Sequence, residues 1–132
     1  MKLRGRFLTL AVILMLTMAA SAAMAADYKV GDVVWAEWVP NGWYHGKITK
    51  SCNVGWHVLF DDGDQKCCTP MQLAKDVVPA AADVKVGASV LSQWSDGKYY
   101  PGTVTAISGT MYSVQYDDGD KGQVTLQQLR LR

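Results

Sequence analysis

The sequence predicts an all-β protein built from two tandem copies of a small five-stranded barrel. Three features of the 132 residues indicate this fold: an ungapped internal repeat, short strands with alternating apolar residues, and Asp-Gly turns at matching positions in both halves. Beyond residue 26 the chain has no long helix-period pattern. Strands that close into a barrel also leave few exposed edges, which helps a unit of this size to stay folded.

The internal repeat sets the architecture, because each repeated segment is expected to form one structural unit. A shift of 94 − 38 = 56 residues places Trp38 on Trp94. The same shift aligns Lys29–Leu73 with Lys85–Leu129 and matches the string Asp-Asp-Gly-Asp in the two copies. We therefore predict two barrels of the same topology, joined by a short spacer that contains Pro79.

Each copy contains short segments with the period-two alternation of strands. The third segment carries apolar residues at every second position, namely Trp56, Val58 and Phe60 in the first copy and Tyr112, Val114 and Tyr116 in the second. Asp62-Gly63 and Asp118-Gly119 follow and predict hairpins, since such turns need residues that tolerate positive φ. The best core candidates are Val34, Ile48, Val58, Leu73, Val90, Val104, Val114 and Leu129. Packing roles within or between the modules are expected for Trp35, Trp43 and Trp56.

Residues 1–26 have the features of a secretory signal peptide. A basic start with Lys2, Arg4 and Arg6 precedes an apolar run over 7–18 and the cleavage pattern Ala23-Met24-Ala25. The alternative is a membrane anchor, but the run is short for a bilayer span, which needs about 20 residues. The predicted boundaries are a helical signal peptide at 1–25, a first barrel at 27–74, a linker at 75–84 and a second barrel at 85–132. We expect an exported protein, periplasmic or extracellular, that is free of the membrane after cleavage.

The charge balance argues against nucleic acid as a partner. The chain has 13 basic and 12 acidic residues, and removal of Lys2, Arg4 and Arg6 leaves 10 against 12, a net charge of −2. Proteins that bind nucleic acid carry a basic excess or a basic stripe. Neither is present beyond the leader.

The candidate catalytic residues form no shared constellation. His45 and His57 align with Pro101 and Ser113 in the second copy, and Cys67 near a histidine would lack a third, orienting group. The sequence contains no phosphate-binding loop and no dinucleotide fingerprint. We therefore expect no enzymatic activity and no cofactor.

The cysteines Cys52, Cys67 and Cys68 all lie in the first copy. An exported protein meets an oxidising compartment, so a Cys52–Cys67 or Cys52–Cys68 disulfide is possible, with three free thiols as the alternative. Alternation predicts that Cys68 faces the core, because Val124 occupies its place in the second copy. Adjacent cysteines lack the usual spacing of zinc ligands, so no metal site is expected.

The repeated motif resembles the Tudor domain. Both copies contain Val-Gly-x-x-Val followed by a Trp, then a Tyr six residues on, then an aromatic residue with Asp-Asp-Gly-Asp. The resemblance covers nearly all of the chain beyond the leader, and related agenet modules and other SH3-like barrels are neighbouring possibilities. It implies two five-stranded SH3-like barrels in a non-catalytic binding protein.

The resemblance also implies an aromatic cage for a methylated lysine or arginine, or for another methylammonium group, at one end of each barrel. The residues that match the cage by position are Trp38, Tyr44, Phe60 and Asp62 in the first copy and Trp94, Tyr100, Tyr116 and Asp118 in the second. Where many cages have a further aromatic residue, this chain has Asp64 and Asp120. The expected partner is therefore a protein or peptide with cationic side chains, or a small methylammonium ligand.

Two interpretations of these aromatic residues stay open at this point: the cage, and simple packing. The aromatic residues could simply fill the barrel cores, which is the ordinary use of an aromatic stripe. The protein would then be a structural adaptor of the cell envelope that binds other proteins without a small-cation site. An open pocket at the convergent rings would favour the cage, and rings that are packed shut would favour the adaptor.

Overall fold

The computed structural model describes residues 28–132, and the predicted signal peptide lies outside the described residues. The chain forms two five-stranded antiparallel sheets, as the sequence predicts. The first sheet contains β1 (Val33–Val39), β2 (Gly42–Cys52), β3 (Gly55–Phe60), β4 (Gln65–Cys68) and β5 (Leu73–Lys75). The second contains β6 (Ser89–Gln93), β7 (Tyr99–Ser108), β8 (Met111–Tyr116), β9 (Lys121–Val124) and β10 (Leu129–Leu131). Short 3₁₀ turns occupy Pro70–Gln72, Ala81–Asp83 and Leu126–Gln128.

The two sheets have the same topology, as the repeat requires. Their strand orders are β4-β3-β2-β1-β5 and β9-β8-β7-β6-β10. The first four strands of each sheet pair antiparallel in chain order, and the fifth strand returns to pair with the first. Within residues 28–132, no helix is long and apolar enough to cross a membrane.

A β-bulge bends the second strand of each sheet at the same repeat position. The pairing register shifts between Ile48 and Lys50 in β2 and between Val104 and Ala106 in β7. An extra residue on one strand increases local twist and bends the strand, which lets a short sheet curl around its own core. The two barrels therefore share their curvature as well as their strand order.

Gly46 and Gly102 permit a close approach between the second and third strands of each barrel. A Cβ atom on Gly46 would lie 2.7 Å from the Leu59 carbonyl oxygen, and one on Gly102 would lie 2.8 Å from that of Gln115. Only glycine fits at that distance. This explains why the repeat places glycine at both positions.

The core of each barrel consists of the residues that alternation predicts. All eight core candidates are buried, and the list is Val34, Ile48, Val58, Leu73, Val90, Val104, Val114 and Leu129. Cys68 and Val124, which align in the repeat, are also buried. Burial raises the pKa of the Cys68 thiol, so this group is a small apolar filler at neutral pH.

A disulfide staples the first barrel. Cys52 at the end of β2 bonds to Cys67 in β4, a separation of 15 residues. Cys68 keeps a free thiol. Of the pairings that the sequence leaves open, this one leaves the core-facing cysteine unbridged.

A buried contact between β2 and β7 joins the two barrels. Trp43 of β2 and Tyr99 of β7 are buried in one cluster with Ala74 and Leu91. Trp35 packs against the same cluster, with its ring centroid 4.6 Å from that of Tyr99. The barrels are therefore packed against each other through large apolar side chains.

Asp76 adds a polar link to this junction, although the sequence places it in a spacer. Its Oδ1 accepts hydrogen bonds from Trp35 Nε1 at 2.9 Å and from Arg130 Nε at 2.8 Å, and its Oδ2 lies 3.0 Å from His45 Nε2. Burial alone would raise the pKa of Asp76, but the hydrogen bonds from Arg130, Trp35 and His45 outweigh it and lower that pKa. One carboxylate thus ties side chains of both barrels.

Candidate functional site

A cavity of about 220 Å³ opens at one end of the first barrel. Its lining residues come from three strand ends and one turn, and they are Trp38, Tyr44, Phe60, Asp62 and Asp64. The four residues that the sequence assigns to the first cage are all among them. Residues far apart in sequence meet here because β1, β2 and β3 are neighbours in the sheet.

The walls of this first cavity meet nearly at right angles. The ring centroids of Trp38 and Phe60 are 5.5 Å apart with an interplanar angle of 86°. Phe60 is buried and belongs to the barrel core, whereas Trp38 and Tyr44 are 40% and 50% exposed. The buried ring therefore forms a floor, and the two exposed rings form walls that are open to solvent.

The carboxylates of the first cavity come from the β3–β4 hairpin. Gly63 adopts a φ of 94°, and its amide donates to the Phe60 carbonyl at 2.9 Å, which confirms the turn that the sequence predicts. Asp62 Oδ1 accepts a hydrogen bond from the Asp64 amide at 3.0 Å. This turn holds two acids beside the aromatic floor.

Lys66 stabilises the strand end that carries Trp38. Its Nζ donates to the backbone carbonyl oxygens of Glu37 at 2.8 Å and Trp38 at 3.0 Å. These bonds fix the backbone from which the indole projects. They also place an ammonium group near the first cavity, and Gly122 occupies the equivalent position in the second barrel.

The second barrel has a matching cavity of about 210 Å³. Its lining residues are Trp94, Asp96, Tyr100, Tyr116, Asp118 and Asp120. The ring centroids of Trp94 and Tyr116 are 5.2 Å apart with an interplanar angle of 86°, which is the geometry of the first pair. All four residues assigned to the second cage by sequence lie together here.

Tyr116 directs its hydroxyl group into the barrel rather than into the cavity. The hydroxyl donates to Ser92 Oγ at 3.0 Å and lies 3.1 Å from the Gln93 carbonyl oxygen. Burial is the main reason that the pKa of Tyr116 is raised, with the Asp118 and Asp96 charges adding to it. Tyr116 therefore serves the cavity as an aromatic floor, like Phe60 in the first barrel.

Asp96 is a feature of the second cavity that sequence reasoning did not assign to the site. The Tyr100 hydroxyl donates to Asp96 Oδ2 at 2.6 Å, and this bond is the main reason that the pKa of Tyr100 is raised. Pro40 stands at the equivalent position of the first copy. The repeat therefore gave no reason to assign Asp96 to the site. Its position two residues after Trp94 was the one sequence signal that pointed to it.

The residues weighed for catalysis or metal binding lie elsewhere. His45 Nδ1 is 2.7 Å from Asp61 and its Nε2 is 3.0 Å from Asp76, so both ring nitrogens are used at the barrel junction. Cys67 is in the disulfide, and His57 lies beside Thr49 on the barrel surface. Among residues 28–132, no group of three or more His, Cys, Asp or Glu side chains is arranged to hold a metal ion.

Comparison with known proteins supports the resemblance drawn from the motif. Residues 87–119 match the family model described as the Jumonji domain-containing protein 2A Tudor domain. No curated protein matches the chain. This family match covers β6, β7 and β8 of the second barrel together with the following turn.

Two solved structures are similar to the chain at low identity. One is the ADCP1 tandem Agenet domain 3-4, with 18% identity over 86% of this chain and 84% of that chain and a TM-score of 0.46. The other is AGD34 of Arabidopsis thaliana AGDP1, with 18% identity over 86% of both chains and a TM-score of 0.47. The family match, not these two structures, identifies the resemblance: the second barrel is similar to a Tudor domain, and the repeat gives the first barrel the same topology.

Proposed function

We propose that this chain is a non-catalytic binding protein whose two cavities take cationic groups, methylated ammonium groups among them, from a protein, a peptide or a small ligand. The leader sequence extends the proposal to an exported protein that binds its ligand outside the cytoplasm. The observation that carries the proposal is the convergence, in each cavity, of three aromatic rings with two or more carboxylates.

The chemistry of these linings suits an organic cation. A methylated ammonium ion is large and weakly hydrated, and the negative faces of Trp, Tyr and Phe attract it by about 0.5–2 kcal/mol for each good contact. Carboxylates such as Asp62 and Asp118 add Coulomb attraction at the rim. They also accept charge-assisted hydrogen bonds from any N–H that the cation retains.

The openness of the cavities supports cation binding over the adaptor alternative. If the rings only filled the core, Trp38, Tyr44 and Trp94 would be packed shut, yet each is at least one-third exposed. Exposed tryptophans above a buried aromatic floor leave a space that water or a cation fills. A purely structural role requires no such space.

Isothermal titration together with tryptophan fluorescence tests the proposal. Tetramethylammonium, choline and trimethyl-lysine are the probes, and the variant carries Trp38→Ala together with Trp94→Ala. We expect saturable binding that changes the fluorescence of the native protein and is lost in the variant. Both substitutions truncate partly exposed side chains, so the fold should persist, and circular dichroism checks this.

A matched pair of charge variants separates the site from general electrostatics. Asp118→Asn removes a lining charge while its amide oxygen can still accept the Asp120 N–H, whereas Asp117→Asn removes a neighbouring charge outside the lining. We expect weaker binding only for the Asp118 variant, measured in the Trp38→Ala background so that the second cavity acts alone. No heat or fluorescence change with any probe would refute the proposal, and equal losses in both charge variants would reduce it to nonspecific charge attraction.

A further inference from the structure

The strands that carry the tyrosines of the two cavities, β2 and β7, are packed together at the junction. Trp43 and Tyr99 are buried in the cluster that joins β2 to β7, and Tyr44 and Tyr100 are the next residues along these strands. The Tyr44 hydroxyl is also close enough to Tyr100 to contribute to the raised pKa of the latter, after the larger effects of the Asp96 hydrogen bond and of burial. The two cavities are therefore carried by strands that pack against each other.

Polar and cation–π contacts reinforce the junction between the two barrels. Asp76 bonds to Trp35 of the first barrel and to Arg130 of the second, and the Arg130 guanidinium lies 5.2 Å from the Tyr99 ring centroid. A further cation–π contact places Arg132 over Trp43 at 4.8 Å. These contacts add to the β2–β7 packing and restrain the two barrels against each other.

We propose that the two cavities together form one site for a linear diamine or polyamine, with one ammonium group in each cavity. This proposal rests on the function proposed above and names a ligand class for it. The five lining carboxylates favour ammonium groups that keep their N–H bonds, and they are Asp62, Asp64, Asp96, Asp118 and Asp120.

The surface between the cavities suits a methylene chain. Tyr44 is half exposed and Tyr100 is partly exposed, so their rings offer apolar surface between the two acidic pockets. A methylene chain has no polar groups that must be satisfied along its length. A peptide that crossed the same surface would need partners for its N–H and C=O groups wherever water was excluded.

Titration with amines of graded length tests this proposal. The probes are butylamine, putrescine, diaminooctane and diaminododecane at constant ionic strength. We expect butylamine to bind two per chain and a diamine of sufficient length to bind one per chain, at least about tenfold more tightly, because the second contact becomes intramolecular. Putrescine, if too short to span, should behave like butylamine.

Single-cavity variants provide the decisive comparison. Trp38→Ala or Trp94→Ala should each abolish the gain of the long diamine over butylamine and leave one amine site per chain, while Asp117→Asn should keep the gain. Two long diamines per chain with no gain over butylamine would overturn the shared site and leave the proposed cation function intact. If neither tetramethylammonium nor any amine binds, the proposed function itself is wrong and the shared site falls with it.

Discussion

The Tyr116 hydroxyl donates a hydrogen bond to Ser92 Oγ at 3.0 Å inside the second barrel, where both side chains are buried. In the first barrel, Phe60 and Ala36 occupy the equivalent positions and are also buried. The pair therefore changes together between the copies: either both residues carry a hydroxyl or neither does. A buried aromatic ring forms the floor of both cavities. The two floors differ in the end of the ring that points into the barrel, which carries a hydrogen-bonded hydroxyl only in Tyr116.

This relationship predicts strong coupling between Tyr116 and Ser92. Tyr116→Phe should destabilise the protein by about 1–2 kcal/mol, because it leaves the buried Ser92 hydroxyl without this partner. Adding Ser92→Ala recreates the apolar pair of the first barrel and should recover part of that loss. Urea denaturation of the two single variants and the double variant measures the coupling, and additive losses would contradict it.

Asp76 should contribute more to stability than any other acid between the barrels. Asp76→Ala removes the acceptor for Trp35 Nε1 and Arg130 Nε, so we expect a loss of about 2 kcal/mol in the free energy of unfolding. Asp83→Ala is the control, since Asp83 is an exposed acid in the same connecting segment. Hydrogen exchange should also quicken in β2 and β7 of the Asp76 variant, and equal stability of the two variants would rule out this role.

The His45 contacts predict a pH dependence of stability. Burial alone would lower the pKa of His45, but the hydrogen bonds to Asp61 and Asp76 outweigh it and raise the pKa above 6.5. Protonated His45 therefore stabilises the fold fully below pH 6.5, and this contribution is lost as the pH rises through the raised pKa. The contribution of Asp76 to stability depends on pH in the opposite direction. Its pKa lies below 3.8, so this contribution is present above that pH and is lost in stronger acid.

The measurement is the melting temperature of the native protein and of His45→Gln between about pH 5 and pH 9. The native protein should lose its advantage over the variant as the pH rises. The effect should be modest because His45 is 34% exposed and Asp61 is 68% exposed, and solvent screens such pairs. A difference that stays constant, or grows with pH, would contradict the protonated assignment.

The sequence predicted those features that repeat between the two copies. Val34 and Val90 sit at equivalent alternating positions, and both are fully buried. Residues that line the two cavities could be grouped in advance because the repeat and the Tudor motif mark the same positions. A residue that both copies need recurs at the equivalent position of each copy.

Features that belong to one copy, or that join the copies, could not be predicted in this way. Asp76 meets Trp35 and Arg130 across 41 and 54 residues, and no local pattern encodes such contacts. Asp96 aligns with Pro40, so the repeat argues against any role for it. Packing of Trp35 and Trp43 within or between the modules was expected from the sequence, but the polar links of the junction and the differences between the cavities became visible only in the structure.

The disulfide should stabilise only the first barrel. Closing a loop of about 15 residues lowers the entropy of the unfolded chain, and in the loop-closure model this stabilises the folded state by about 3 kcal/mol. The second barrel offers a natural replacement, because Ser108 and Gln123 align with Cys52 and Cys67. Cys52→Ser with Cys67→Gln should therefore fold but unfold at lower denaturant than the native protein.

Reduction with dithiothreitol checks the same point without a substitution. It should lower the stability of the native protein to that of the double variant and leave the double variant unchanged. Hydrogen exchange should locate the loss in β2 to β4 rather than in β7 to β9. A loss of protection spread equally over both barrels would mean that the disulfide also stabilises the second barrel through the junction.

The two cavities should differ in their preference among ammonium ions. The second has three lining carboxylates, including Asp96, whereas the first has two and lies near the Lys66 ammonium group. A more negative lining attracts every cation more strongly, but it rewards most those that still carry N–H donors, since each N–H can bond a carboxylate. We therefore expect the second cavity to favour methylammonium over tetramethylammonium more than the first does.

The single-cavity variants make this preference measurable. The ratio of methylammonium to tetramethylammonium affinity should be about three- to tenfold higher in Trp38→Ala, which keeps the second cavity, than in Trp94→Ala, which keeps the first. Adding Asp96→Asn to Trp38→Ala should bring that ratio close to the value of the first cavity. If the ratios agree before Asp96 is changed, the additional carboxylate is engaged with Tyr100 alone and plays no part in selecting the cation.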